Sequence, residues 1–375
     1  MKESITIKNF GPLKDISITD IRPFIFLIGP SGSGKSTLLK ITAFMRWIYK
    51  MMCIRSYLKY SGIKNSPFSM DFKKHLKAMG MVQFLKNDTY IEYHNGNFAF
   101  LYNKKVKFPK KYIPNDELSL EKISFISDKR SIIGDILENN AVVKNRAFYI
   151  TGTFDDYLIA AEAIRHIEMP SLGIQLQLRK TSNGEKHCIE PIAGNDFSIN
   201  LNEASSGTQS SIPLTLIVEY FAKKYDIVGS LNDAVFRYAS KSDSLKDFRA
   251  SSNVGDLPNR RVSIFLEEPE ISLYPTTQRT LLDSIVANCN APHDYAMHLL
   301  VATHSPYIIN HLNVLLRRKN TYASIKSDNL GVYNVVGGYI YDLMSQDCNT
   351  GEWVVDTGDL SEPMADIYNE YKSLG

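Results

Sequence analysis

Four short segments of this chain carry residue types suited to chemistry on a phosphate. Gly29-Pro30-Ser31-Gly32-Ser33-Gly34-Lys35-Ser36-Thr37 satisfies the spacing G-x-x-x-x-G-K-[ST]. Glycines let backbone N–H groups converge on an anion. A helix opening at the end of such a loop adds roughly half a positive charge at its N-terminus. Lys35 would bridge the β- and γ-phosphates of a nucleotide, and the Ser36 hydroxyl would ligate Mg2+. The plain alternative is a glycine-rich turn with an exposed lysine.

The second segment is Val262-Ser263-Ile264-Phe265-Leu266-Glu267-Glu268-Pro269-Glu270. An apolar strand ending in two acids is costly unless the acids are used. In a phosphate site Glu267 would hold the hydration shell of Mg2+, and Glu268 would orient or deprotonate the attacking water. The third is Val301-Ala302-Thr303-His304-Ser305-Pro306, with His304 where open α/β sheets bind ligands. The fourth is Glu203-Ala204-Ser205-Ser206-Gly207-Thr208-Gln209-Ser210-Ser211, a second anion site at a helix start. Taken alone, that segment reads better as a helix cap by Ser205 or Ser206.

These segments need elements to hold them. Residues 24–28 form a continuous apolar run, as do 262–266, and both predict strands buried on two faces; residues 298–302 predict another strand. Helical patterns cover residues 36–58, 142–169, 207–225, 276–287, 306–312 and 362–374, and one short helix is expected at 71–79. Residues 5–7 and 13–18 alternate like strands around the turn 9–12. Residues 90–93 and 98–102 predict a hairpin across Asn95-Gly96. Further strands are expected at 172–178, 187–190 and 197–199, short ones within 331–359, and a loose insertion at 230–259.

The 375 residues are 44% hydrophobic and 22% charged, which excludes whole-chain disorder and a disulfide scaffold. Forty-three basic against 40 acidic residues leave a net +3, so any nucleic-acid surface must be local. Such a surface could lie at Lys104, Lys105, Lys107, Lys110 and Lys111, interleaved with Phe108 and Tyr112. The plain alternative there is a solvated loop. Cys53, Cys188, Cys289 and Cys348 form no C-x-x-C pair and suit a reducing cytoplasm. His293 and His298 have no partner at zinc-ligand spacing. Charges at Lys40, Arg46, Lys50 and Arg55 interrupt the most apolar stretch, so no membrane span is expected.

The order of the four segments resembles that of an ABC-type ATPase head. Ser205-Ser206-Gly207-Thr208-Gln209 looks like a degenerate signature motif, Glu267-Glu268 like the end of a Walker B strand, and His304 like a switch histidine. Leu266-Glu267-Glu268-Pro269-Glu270 through Leu273-Tyr274-Pro275, with residues 7–14, 126–131 and 303–306, resembles the non-transporter heads of overcoming-lysogenization-defect (OLD) and related bacterial defence ATPases. The resemblance implies an α/β P-loop NTPase with ABC-ATPase head architecture, a mixed sheet flanked by helices, and a smaller helical/β insert. It divides the chain into an N-terminal lobe at 1–60, an insert and signature-lobe region at 61–200, and a C-terminal lobe at 201–375. It implies a cytoplasmic ATPase using ATP and Mg2+. Lys35, Glu268 and His304 would be catalytic, and Ser36 and Glu267 would serve the metal. A homodimer or higher homo-oligomer is implied, in which Ser206, Gly207 and Gln209 of one protomer complete the loop site of another.

Glu267 stands where such heads carry Asp. Gln83 takes the Gln-loop position by order only, and Asp128-Lys129-Arg130-Ser131 is the other segment of that region. About 170 residues between Gly34 and Ser206 leave no room for the long coiled coil of SMC heads. About 70 residues follow Ser305, and Asp356 and Asp359 do not make a metal cluster, so no nuclease is expected in the chain. Septu and PARIS pair a similar ATPase with a separate effector, which points to a nuclease or toxin partner in anti-phage defence. The alternatives are a DNA-repair or maintenance ATPase and an ATP-dependent scaffold with little hydrolysis.

Overall fold

The computed structural model describes residues 2–62, 71–108, 111–138, 148–182, 184–194, 197–230, 232–233, 257 and 259–374. The first strands are β1 (Glu3–Phe10), β2 (Leu13–Ile18) and β3 (Phe24–Ile28), followed by α1 (Lys35–Tyr60) and α2 (Phe72–Ala78). Then come β4 (Leu85–Asn95), β5 (Phe98–Asn103), β6 (Lys105–Lys107) and β7 (Ser119–Ile126), and the helices α3 (Ile133–Glu138) and α4 (Phe148–Ala163). Next are β8 (His166–Met169), β9 (Ile174–Thr181), β10 (Gly184–Pro191), β11 (Ile199–Asn200) and α5 (Ser206–Lys223). The last part holds β12 (Asn259–Glu267), α6 (Pro275–Asn290), β13 (Ala296–Ala302), α7 (Pro306–Arg317), β14 (Leu330–Val336), β15 (Tyr339–Asp342), β16 (Met344–Gln346), β17 (Trp353–Val355) and α8 (Gly358–Ser373).

One mixed sheet dominates, in the order β6-β5-β4-β1-β2-β15-β14-β3-β13-β12-β7. Its parallel part is β14-β3-β13-β12-β7, and helices connect these strands. This is the α/β P-loop arrangement expected, a large mixed sheet flanked by helices. All five residues of β3 are buried, so each side chain contributes on the order of 1.5–3 kcal/mol. That two-sided burial is why the strand reads as an unbroken apolar run.

The parallel register decides the site. Leu27 pairs with Ala302, and Ala302 with Glu267. The carboxyl ends of β3, β13 and β12 therefore lie side by side at one end of the parallel strands. At the opposite end, the buried Arg46 holds Glu3 through Nε at 2.8 Å and a second nitrogen at 2.9 Å, and Arg261 reaches the same carboxylate at 2.8 Å. Burial pushes the Glu3 pKa up, but the two guanidiniums prevail and hold it down at about 2.

Several elements differ from the sequence expectation. β4 runs antiparallel along β1 from Glu3↔Asn95 onward, so the segment after residue 60 joins the main sheet. The smaller sheet is β11-β10-β9-β8 instead. The hairpin turn is Gly96-Asn97, one residue later than Asn95-Gly96, since Asn95 pairs with Phe98. His166–Met169 is a strand, not the end of a helix; its alternating burial has a period of two. Part of the helix expected at 142–169 and most of the insertion expected at 230–259 lie outside the described residues. Among the described residues no helix is long and apolar enough to cross a membrane.

Candidate active site

The loop after β3 requires its glycines. Gly29, Gly32 and Gly34 have φ of 147°, 76° and 109°, conformations that L side chains rarely adopt. A Cβ on Gly29 would lie 2.2 Å from the Val335 carbonyl oxygen of β14. The loop is thus folded tightly against its neighbour strand, with α1 starting at its end.

Lys35 is 4% exposed, and its ammonium donates to the carbonyls of Gly29 at 2.7 Å and Pro30 at 2.9 Å. Burial lowers its pKa to about 8, against the pull of Glu268 and Glu270. Its Nζ is also 3.4 Å from His304 Nδ1, and His304 Nε2 is 3.5 Å from Glu268 Oε1. The imidazole therefore stands between the lysine and the second acid of the pair. His304 follows β13 and is fixed by its backbone N–H, which donates to Glu270 Oε1 at 2.6 Å.

Glu267 and Glu268 have different environments. Glu267 is 2% exposed, and Lys40 of α1 holds its Oε1 at 2.8 Å. Burial raises its pKa, with Lys40 and the Ser36 hydroxyl pulling it back. Glu268 is half-buried and has φ of 44°. A non-glycine residue in that region persists only where its surroundings hold it. Here its N–H donates to the Ala302 carbonyl at 2.8 Å, and Arg130 donates to its own carbonyl at 2.7 Å.

Four oxygens around the loop are buried without a hydrogen-bond partner: Ser33 Oγ, Glu267 Oε2, Glu270 Oε2 and Asn334 Oδ1. Buried polar atoms are normally satisfied. A hard cation takes oxygen ligands of this kind, and the unpartnered Glu267 oxygen, on a carboxylate that the Ser36 hydroxyl also meets, fits Mg2+ completed by phosphate and water.

The fourth segment lies elsewhere in the same chain. Ser205 caps α5, accepting from the Thr208 N–H at 3.3 Å. Ser205 and Ser206 are exposed. Gly207 faces inward, where a Cβ would meet the Ser272 carbonyl at 2.8 Å. The Gln209 amide donates to the carbonyls of Asn202 and Ala204 at 2.7 and 2.8 Å, bracing the turn before the helix. α5 packs on α4, α6 and the 3-10 turn Asp128–Ile132.

Sequence reasoning missed Lys40, Glu270, Asn334 and the role of Arg130. Lys40 looks like any charge on a long helix, and Asn334 belongs to β14, a strand whose neighbour is fixed only by folding. Gln83 donates to Gly80 at 2.5 Å, while the segment 128–131 is the one that reaches Glu267 and Glu268. Lys104, Lys105 and Lys107 are exposed near the sheet edge, and Lys110 lies outside the described residues.

The AAA ATPase domain family model matches residues 101–309, more than half of the chain, from β5 through His304 into α7. The chain belongs to the AAA ATPase domain family. No curated protein matches this AAA ATPase-domain chain. Similar solved structures include an SMC head bound to the C-winged helix domain of ScpA, at TM-score 0.38 and 11% identity, covering 90% of this chain and 95% of that one. They also include the SMC head domain from Thermotoga maritima, at 0.35 and 12%, covering 91% and 98%. A third is an ATP-binding cassette of an ABC transporter in its ADP conformation, at 0.31 and 11%, covering 91% and 90%.

Proposed function

We propose that this AAA ATPase-domain protein binds Mg·ATP at residues 29–37 and hydrolyses the terminal phosphate as a dimer built around the nucleotide. The observation that carries the reading is the chain Lys35–His304–Glu268, with gaps of 3.4 and 3.5 Å, at the carboxyl ends of β3, β13 and β12. Backbone N–H groups of the glycine loop cradle phosphate oxygens. The Lys35 ammonium leaves the Gly29 and Pro30 carbonyls for the β- and γ-phosphates. Ser36 and Glu267 hold Mg2+, which supplies charge neutralisation on the phosphate oxygens. Glu268 accepts a proton from the attacking water at its carboxylate, and His304 orients the terminal phosphate.

The exposed start of α5, with Ser206 beside Gly207 and Gln209, completes the loop site of a second protomer. The output is the gating of a separate effector, a nuclease or toxin, in anti-phage defence. That step is supported by the order of the four motifs along the chain. The decisive measurement is Mg2+-dependent phosphate release. Wild type should turn over ATP, and Lys35→Ala should neither bind nor hydrolyse it. Wild-type affinity for Mg·ATP in Lys35→Ala would sink the site assignment. Co-purification from the native operon tests the effector.

A further inference from the structure

Arg130 is 0% exposed, and the hydrogen bonds of its guanidinium go to backbone carbonyls. Nε donates to Ser210 at 2.8 Å, one terminal nitrogen to Glu267 at 2.8 Å and Ser127 at 3.2 Å, and the other to Glu268 at 2.7 Å. Burying a guanidinium is costly unless its donors are well placed, and a planar fork suits several fixed acceptors at once.

Ser127 belongs to the turn that carries Arg130 itself, and the other three acceptors belong to two further segments. Glu267 ends β12 and Glu268 follows it, while Ser210 lies in the first turns of α5. Two more contacts join the same elements. Ser210 Oγ donates to the Ile271 carbonyl at 2.9 Å, and Gly207 admits the Ser272 carbonyl where a Cβ would be 2.8 Å away. The Glu268 peptide, at φ 44°, is pinned on its carbonyl side by Arg130.

We infer that Arg130 is a positioning residue that locks the peptide of the candidate base and the start of α5 into one unit. The aim of Glu268 and the angle of the helix start are then set together. This rests on the ATPase reading above. There, the start of α5 serves a partner's site, so the Arg130 fork links the two sites of a dimer within each chain.

The test compares wild type with Arg130→Lys, which keeps the charge but replaces the fork with one donor point. Three quantities are measured: Mg·ATP affinity, kcat, and backbone hydrogen exchange. In Arg130→Lys, affinity should stay within about threefold while kcat falls about tenfold or more. Exchange should rise about tenfold at residues 205–211 and 268–273, and not at 24–40. Added guanidinium should restore part of the kcat of Arg130→Ala; if that variant does not fold, Arg130→Lys alone decides. Unchanged exchange at the two segments overturns the inference. So does a uniform rise along the chain with equal losses of affinity and kcat, which is the signature of a merely structural arginine. Absence of turnover in wild type refutes the ATPase reading instead, and the exchange pattern then judges Arg130 by itself.

Discussion

Lys40 Nζ lies 2.8 Å from Glu267 Oε1, while the second oxygen of that carboxylate is buried with no hydrogen-bond partner. The lysine thus neutralises the acid and leaves one oxygen for another cation. Removing Lys40 strands a buried charge. Lys40→Met should cost on the order of 2 kcal/mol, less than for a fully buried pair because Lys40 keeps some solvent contact. Glu267→Gln in the same background should recover most of that loss. Denaturant unfolding of the four proteins measures the coupling, and strictly additive costs would refute the pairing.

The two acids should separate in kinetics. Glu268→Gln should keep Mg·ATP affinity and lose roughly 10²- to 10⁴-fold in kcat, the worth of a positioned general base. Glu267→Gln should instead raise the Mg2+ concentration needed for half-maximal nucleotide binding. If Glu267→Gln proves to be the variant that holds ATP without turnover, the two roles are exchanged.

A test of the shared site should use Ser206, which is exposed, and not Gly207. Even Gly207→Ala would press on the Ser272 carbonyl and should destabilise the chain by about 1–3 kcal/mol. Ser206→Glu should leave unfolding unchanged but place a negative charge toward the partner's phosphate. Mixed with Lys35→Ala, it puts both lesions in one composite site of a heterodimer and leaves the other intact. Partial recovery of ATPase activity from two inactive proteins is expected. Heterodimers without recovery would mean that each chain acts alone or that both sites must fire.

The small sheet should be acid-labile. His187 is 7% exposed, and burial lowers its pKa to about 4, opposed by Glu185. Its Nδ1 lies 2.7 Å from the Tyr157 hydroxyl oxygen, at hydrogen-bond distance. The folded pKa is below the unfolded value of about 6.5, so the unfolded chain binds the extra proton between the two. Stability is therefore full above pH 6.5 and falls as pH drops toward 4, by at most about 3 kcal/mol for this group. His187→Gln should flatten that part of the pH profile. An unchanged profile from pH 6.5 to 4 would show that His187 is not the titrating group.

The glycine loop, its strand and its helix were legible in the sequence because their causes are local. An apolar run, glycines at backbone positions of positive φ, and a helix start sit within about 15 consecutive residues. The same holds for the apolar strand ending in Glu267-Glu268 and for the cap at Ser205. Strand order was not legible. That β3 lies between β14 and β13, and that β4 extends the sheet along β1, follows from long-range pairing of peptide groups. Those groups are the same in every residue and leave no mark on the residue types. Asn334 and Lys40 therefore reached the site only through folding. Arg130 is the clearest case. Its side chain could be read in the sequence, but its partners are carbonyls of Ser127, Ser210, Glu267 and Glu268. Any residue supplies a carbonyl, so only the tertiary structure could decide which ones an arginine would gather.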